Sequence, residues 1–243
     1  MNFDFGAVAK QYAAYRPHYP LELAAALAER CSHRELAWEV GCGSGQLTQT
    51  LAPHFTRVIA TDPSQGQLDA APKLANVEFR VAAAEVSTLP DACADLIVAA
   101  QAAHWFDWPK FVAEAARVAK PGALVALVSY GIVEVDDVPS VARFYHETAA
   151  PFWPPSRRHV ENGYRDLVWP WAQVTPPALA MRASWTRDEF FGYVTTWSAF
   201  SRLVEQRGRE PIDAFAAELA AEWPDNERRE IRWPLTLKLA RYA

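Results

Sequence analysis

The chain has 243 residues, 51% apolar and 22% charged, with acids and bases interspersed to a net charge of −5. This is an ordinary globular composition, long enough for one well-buried core. No apolar run approaches the ~20 residues that a bilayer requires, and a nucleic-acid binder would more often show a basic face.

Met1-Asn-Phe-Asp4 lacks the basic start and apolar core of a secretion signal. Cys31, Cys42 and Cys93 are odd in number and far apart, so neither a disulfide frame nor a zinc site is expected. A reducing, cytoplasmic setting fits. Helical spacing of apolar residues predicts a first helix over 3–15, ended by Pro17. Tyr12 and Arg16 are four apart and can share a face, with the guanidinium free to grip a carboxylate; a packed tyrosine beside a solvated arginine is the alternative. An Ala- and Leu-rich helix follows over 21–31.

A short apolar run over 36–40 then ends in Gly41-Cys42-Gly43-Ser44-Gly45, with a helix-compatible segment behind it. Strand, glycine turn and helix in that order give a backbone a ligand can approach closely and a helix start that favours negative charge. The second strand, 57–61, delivers Asp62 at its tip. An acid there, ~20 residues past the first glycine turn of a doubly wound fold, bonds ribose hydroxyls. Nicotinamide cofactors want Gly-x-Gly-x-x-Gly, whereas here the third glycine comes one position early and Gln46 stands where a small residue is needed. The pattern points to a nucleoside without a pyrophosphate.

Pro63 and Ser64 open the next helix, with Ser64 as its cap, and 77–81 is a third strand. Glu85 lies in the loop after it, as a ligand contact or as a solvated acid. The run 95–100 is apolar throughout, as a strand buried on both faces should be. Its carboxyl end carries Gln101, His104 and Trp105, where open α/β sheets bind their ligands. Asp107 is positioned to cap a helix over 108–119, Lys120-Pro121-Gly122 to stop it, and 123–130 to form a fifth strand. Beyond Gly131 the alternation breaks. Helices are expected over 138–149 and 188–207 around a Pro- and Trp-rich stretch, with strands at 178–184 and 230–242, the last placing Trp233, Leu235, Leu237 and Leu239 on one face.

Glu39-Val-Gly-Cys-Gly-Ser-Gly45 together with Thr61-Asp-Pro-Ser64 resembles motif I and the acidic second-strand tip of class I S-adenosylmethionine-dependent methyltransferases. The resemblance continues through 82–85, 95–101 and 118–124, and is thin from 131 to about 181. Tyr12-Ala-Ala-Tyr-Arg-Pro-His-Tyr-Pro20, His104-Trp-Phe-Asp107 and Thr196-Trp-Ser198 resemble a small-molecule branch, methyltransferase type 11, that includes trans-aconitate methyltransferases.

The resemblance implies an α/β fold: a Rossmann-like doubly wound sheet of seven strands, mostly parallel with an antiparallel last strand, plus a helical cap. It implies a single methyltransferase domain over 1–243, with lid helices in 1–30, a cofactor-binding core in 31–132, mainly cap in 133–225 and a final strand in 226–243. S-adenosylmethionine would be held by Tyr12, Arg16, Glu39, Gly41, Gly43, Gly45, Asp62, Pro63, Ala84, Glu85 and Gln101, leaving S-adenosylhomocysteine as product. Tyr15, His104, Trp105, Arg157 and Arg158 are the candidate acceptor contacts, with no metal. A carboxylate acceptor needs no base; for an amine, phenol or carbon acid, His104 is the candidate catalytic base, and otherwise it shapes the pocket. The expected partner is a small molecule, a carboxylic acid among the candidates, with neither nucleic acid nor membrane, and the protein a monomer or homodimer. A non-catalytic S-adenosylmethionine-binding protein and a nicotinamide oxidoreductase stay open as alternatives. DNA-base methylation is disfavoured by Gln101-Ala-Ala-His104, which stands where an Asn- or Asp-Pro-Pro-aromatic sequence is expected.

Overall fold

The structure is a computed structural model, and it describes residues 15–243. The expected helix over 3–15 and the residue Tyr12 lie outside the described residues. Five parallel strands build the centre: β1 (Leu36–Val40), β2 (Arg57–Asp62), β3 (Val77–Val81), β4 (Ala94–Ala100) and β5 (Ala119–Tyr130). Helix α1 (Leu21–Glu29) precedes β1, α2 (Thr48–Leu51) and α3 (Gln65–Asp69) follow β1 and β2, and α4 (Trp108–Val118) joins β4 to β5. The seven-stranded sheet runs β3-β2-β1-β4-β5-β10-β7, where β7 is Ala172–Val174 and β10 is Leu235–Arg241. Strand β10 is antiparallel to both of its neighbours. The order reverses between β1 and β4, which opens a crevice at their carboxyl ends.

Both faces of the sheet are covered, so its central strands are apolar throughout. Leu23 and Leu27 of α1 pack with Leu51, Val58, Leu96 and Val128 on one face. Phe111, Ala115 and Val118 of α4 pack with Trp38, Ile59, Ile97 and Val125 on the other. Asp95 is the exception inside β4, and its partners explain it. One carboxylate oxygen accepts the backbone N–H groups of Glu35 and Leu36 at 2.8 and 2.9 Å, and the other meets Lys120 at 2.9 Å, tying the starts of β1, β4 and β5 together.

The late segments depart from the sequence reading. The expected strand over 178–184 is β8 (Met181–Trp185), but it belongs to a separate sheet with β6 (Glu134–Val135) and β9 (Arg229–Trp233). The remaining place in the main sheet, at its edge beyond β10, falls to β7 in the Pro- and Trp-rich stretch. The single strand expected over 230–242 is split at Pro234, which has no N–H for a ladder, so that β9 and β10 serve different sheets. The shared face survives the break, since Trp233, Leu235, Leu237 and Leu239 all join one core.

Helix α5 (Pro139–Arg143) runs on as a π-turn over Phe144–Ala149, and α6 (Arg157–Glu161) is a short helix within the stretch where none was expected. The helix expected over 188–207 is two: α7 (Arg187–Thr195), opened by a Thr186/Glu189 capping box, and α8 (Ser198–Arg207). Helix α9 (Glu210–Glu222) completes this region. Ser64 and Asp107 stand at the cap positions of α3 and α4, but neither side chain caps. The Ser64 N–H is taken by Asp62 at 2.9 Å, and the Asp107 carboxylate pairs with Lys110 at 2.7 Å.

Candidate active site

At the end of β1 the chain turns through Gly41, Gly43 and Gly45 with φ of +67°, +56° and +79°. The N–H groups of Gly41 and Cys42 both donate to the Thr61 carbonyl, at 2.8 and 3.0 Å, which locks the turn onto β2. A Cβ at Gly41 would lie 2.6 Å from Ala102 Cβ, so this glycine is required by packing against the β4 end. At Gly43 the nearest atom to such a Cβ is 3.7 Å away, leaving the backbone open to a ligand. Gly45 is different. It packs toward Phe79 and Pro72 and does not line the cavity, so of the three expected glycines two face it.

The crevice is a cavity of about 340 Å³, within the usual size of a small-molecule site. Of the expected cofactor contacts, Glu39, Asp62, Pro63, Ala84, Glu85 and Gln101 line it, as does Trp105 from the expected acceptor contacts. Asp62 accepts the Gly43 N–H through Oδ2 and the Ser64 N–H through Oδ1, each at 2.9 Å. Burial raises its pKa, and those two N–H groups work against the rise. Glu39 is 2% exposed and accepts the Thr48 hydroxyl at 2.5 Å. Loss of water pushes its pKa up to about 8, with the Asp62 charge adding to the rise. Glu85 accepts the Asp107 N–H at 2.7 Å. The lining contains these three acids and no Lys, Arg or His among the described residues.

Gln101 ends β4 at φ +54°, a strained position for a residue with a side chain. Its amide brackets Tyr130, accepting the Tyr130 N–H at 3.0 Å and donating to the Tyr130 carbonyl at 3.3 Å. Gln101 is thus a wall shared with a second, smaller chamber, of about 50 Å³, which Trp105 also borders. Arg16, His104 and Arg157 line that chamber together with aromatic side chains, and among the described residues no carboxylate does. The expected cofactor contact Arg16 therefore sits on the chamber side. Its Nη1 donates to the Tyr130 hydroxyl and its Nη2 to the Thr196 carbonyl, each at 2.9 Å.

His104 Nδ1 lies 3.2 Å from the hydroxyl of the fully buried Tyr164. Burial drops its pKa to about 3, helped by the positive charges of Arg157 and Arg16. The imidazole is therefore neutral at pH 7 and too weak a base to keep a proton. Arg157 stacks on the Trp153 ring at 4.7 Å, whereas Arg158 is exposed and does not line the chamber. Tyr15 lies against Gly192, outside both cavities. The Thr196-Trp197-Ser198 motif is built into this wall: Thr196 holds Arg16, Trp197 packs on Trp153 at 5.5 Å, and Ser198 lines the chamber.

Sequence reasoning missed Tyr19, Cys42, Gln46, Gln67 and Tyr130 in the larger cavity, and Tyr145, Trp153, Tyr193 and Trp197 in the smaller. Cys42 and Gln46 lie inside or beside the glycine turn and could have been taken with it. The aromatic residues come from elements whose placement no local signal gives.

An acid-lined cavity over a glycine turn in a doubly wound sheet defines a protein for a cationic nucleoside cofactor. The comparisons with known proteins agree. Residues 38–127 match the family described as a methyltransferase domain. A Dictyostelium discoideum protein named as a methyltransferase is 31% identical over 252 aligned residues, spanning 99% of this chain and 96% of that protein. A solved structure from Anaeromyxobacter dehalogenans, described as a type II methyltransferase, is 41% identical with a TM-score of 0.88, covering 94% of this chain and 99% of that one. Geranyl diphosphate C-methyltransferase of Streptomyces coelicolor A3(2) shares the fold at TM-score 0.51 and 13% identity, over 99% of this chain and 98% of that one. The chain belongs to the methyltransferase domain family. It is a class I S-adenosylmethionine-dependent methyltransferase, which removes the nicotinamide alternative and the non-catalytic one. No described helix is long and apolar enough to cross a membrane.

Proposed function

We propose that the protein methylates a small anionic acceptor, a carboxylic acid foremost, in the chamber beside His104. The observation that carries this reading is the division of charge between two adjoining spaces. Among the described residues the larger one is lined by Asp62, Glu85 and the largely protonated Glu39 with no Lys, Arg or His, and the smaller by Arg16, Arg157 and the neutral His104 with no carboxylate. A cation is favoured in the first and an anion in the second. The segments that resemble the trans-aconitate branch support an acid acceptor.

When bound, S-adenosylmethionine supplies an electrophilic methyl group on a sulfonium. Glu39, Asp62 and the open backbone at Gly43 would hold it, Asp62 at the ribose. Arg157 draws the acceptor in and fixes its orientation, and the aromatic walls keep water out. His104 serves as a neutral hydrogen-bonding wall, because an ionised carboxylate brings its own lone pair and needs no base. The three cysteines are free thiols, in keeping with a cytoplasmic enzyme.

Two measurements in sequence test this. Calorimetric titration with S-adenosylmethionine, S-adenosylhomocysteine and NADH should show micromolar binding of the sulfur nucleosides and none of NADH. A mass-shift screen of small acids, amines and phenols should then find methyl esters. Methylation confined to amines or phenols would overturn the acid reading.

A further inference from the structure

Arg157 is held in an unusual way for a chamber residue. Its Nε donates to the Tyr145 hydroxyl at 3.1 Å, and that hydroxyl donates to Glu161 at 2.5 Å. Glu161 itself stays 3.6 Å from Nε. The guanidinium carbon sits over the Trp153 ring, 4.7 Å from its centroid, and the two terminal nitrogens have no hydrogen-bond partner among the described residues. One side of the fork is thus fixed by protein and the other left with its donors unspent. The Arg157 side chain is 14% exposed, and its terminal nitrogens are not closed off by protein, so they face open space with room for an acceptor.

Trp153 repeats the pattern. Its indole Nε1 is buried without a hydrogen-bond partner, although the residue borders the chamber. A buried N–H left unpaired is destabilising, so such groups ordinarily have a partner. Two neighbouring side chains both lacking acceptors, in a wall without carboxylates among the described residues, are short of the same thing: an oxygen-bearing anion.

We propose that Arg157 and the Trp153 indole N–H form a single seat for one carboxylate of the acceptor, with Tyr145 and Glu161 as the positioning residues that aim Arg157. The inference rests on the anionic-acceptor reading above and deepens it by assigning the groups that discriminate. The Tyr145 hydroxyl is spent in both directions, accepting from Arg157 and donating to Glu161, so it orients the guanidinium and does not touch the acceptor. Tyr145 stands in the π-turn over Phe144–Ala149, a kind of irregularity that often marks functional positions. Indole discriminates as a donor only: it rewards a carboxylate oxygen and offers nothing to an ammonium or an amide N–H.

The test uses the whole protein saturated with S-adenosylhomocysteine, with malonate as probe and malonamide as its neutral isostere. Titration is followed by calorimetry and by the indole ¹H–¹⁵N signals, that of Trp153 identified by its loss in Trp153→Phe. Malonate should bind more tightly than malonamide and shift the Trp153 signal downfield at concentrations where malonamide leaves it in place. Trp153→Phe, which keeps the ring under Arg157, should weaken malonate about five- to tenfold while leaving S-adenosylhomocysteine affinity unchanged. Tyr145→Phe should weaken malonate by a smaller factor with the Trp153 signal still responsive. A stationary Trp153 signal under bound malonate, or Trp153→Phe binding malonate like the parent, would overturn the seat while leaving an anionic acceptor intact. Equal affinity of the parent for malonate and malonamide would overturn both.

Discussion

Glu39 offers the sharpest physical test of the cofactor cavity. It sits at the end of β1, 2% exposed, with the Thr48 hydroxyl as its hydrogen-bond partner. Burial lifts its pKa from 4.5 to about 8. In the unfolded chain the carboxyl ionises near 4.5, whereas in the folded protein it keeps its proton to about 8. Between those values the native state binds more protons, so stability must fall as pH rises. Its contribution is undiminished below pH 4.5 and declines across the window from 4.5 to 8. At ~1.4 kcal/mol per pH unit the full decline is about 5 kcal/mol. Glu39→Gln preserves the shape and the acceptor for Thr48 but cannot ionise. Urea denaturation of both proteins at unit steps from pH 5 to 9, without cofactor, isolates the effect as the difference between two curves. The variant should gain on the parent steadily up to about pH 8 and then hold its lead. Parallel curves would mean that Glu39 ionises normally and that water reaches the cavity floor.

Three further outcomes are expected. Asp62→Ala removes the acceptor of the Gly43 and Ser64 N–H groups as well as the proposed ribose contact, so S-adenosylhomocysteine affinity should fall by at least ~1.5–3 kcal/mol in calorimetry; unchanged affinity would take Asp62 out of the site. Gly41→Ala and Gly43→Ala should part company. Both pay for positive φ, ~1–2 kcal/mol, but only the first drives its methyl into Ala102, so thermal melting should show Gly41→Ala as the less stable, with Gly43→Ala folded and impaired in cofactor binding. His104, its pKa lowered to about 3, should give kcat/KM no limb between pH 5 and 8, and a limb near 6.5 that disappears in His104→Ala would restore it as the base.

The glycine turn and Asp62 were legible because their chemistry is local. The five-residue turn, the acid at the next strand tip and the apolar strands between them have to occur at those spacings for the crevice to form. The five parallel strands followed for the same reason. Pro234 carried a signal too, since a proline inside an alternating run argues against one continuous strand, and it separates β9 from β10. Other features leave no local trace. Gly45 belongs to the same motif as Gly43, and only the position of Phe79 tells which of them faces the ligand. Arg16 meets Tyr130 across 114 residues and Thr196 across 180, contacts that exist only once the sheet and cap are assembled.

Arg157 and Arg158 show where sequence reading ends. Adjacent helical residues point about 100° apart, so one of the pair had to differ from the other, but nothing in the dipeptide says which. The surroundings decide: Trp153 beneath and Tyr145 beside it draw Arg157 inward, and Arg158 is left exposed. The same holds for charge as a whole. A net −5 averages away the separation that gives the site its character, three acids around one space and two guanidiniums around the next. That separation belongs to walls assembled from β1, β2, β4 and several distant stretches of the chain around them. It becomes readable only when the fold has brought them to opposite sides of Gln101 and Trp105.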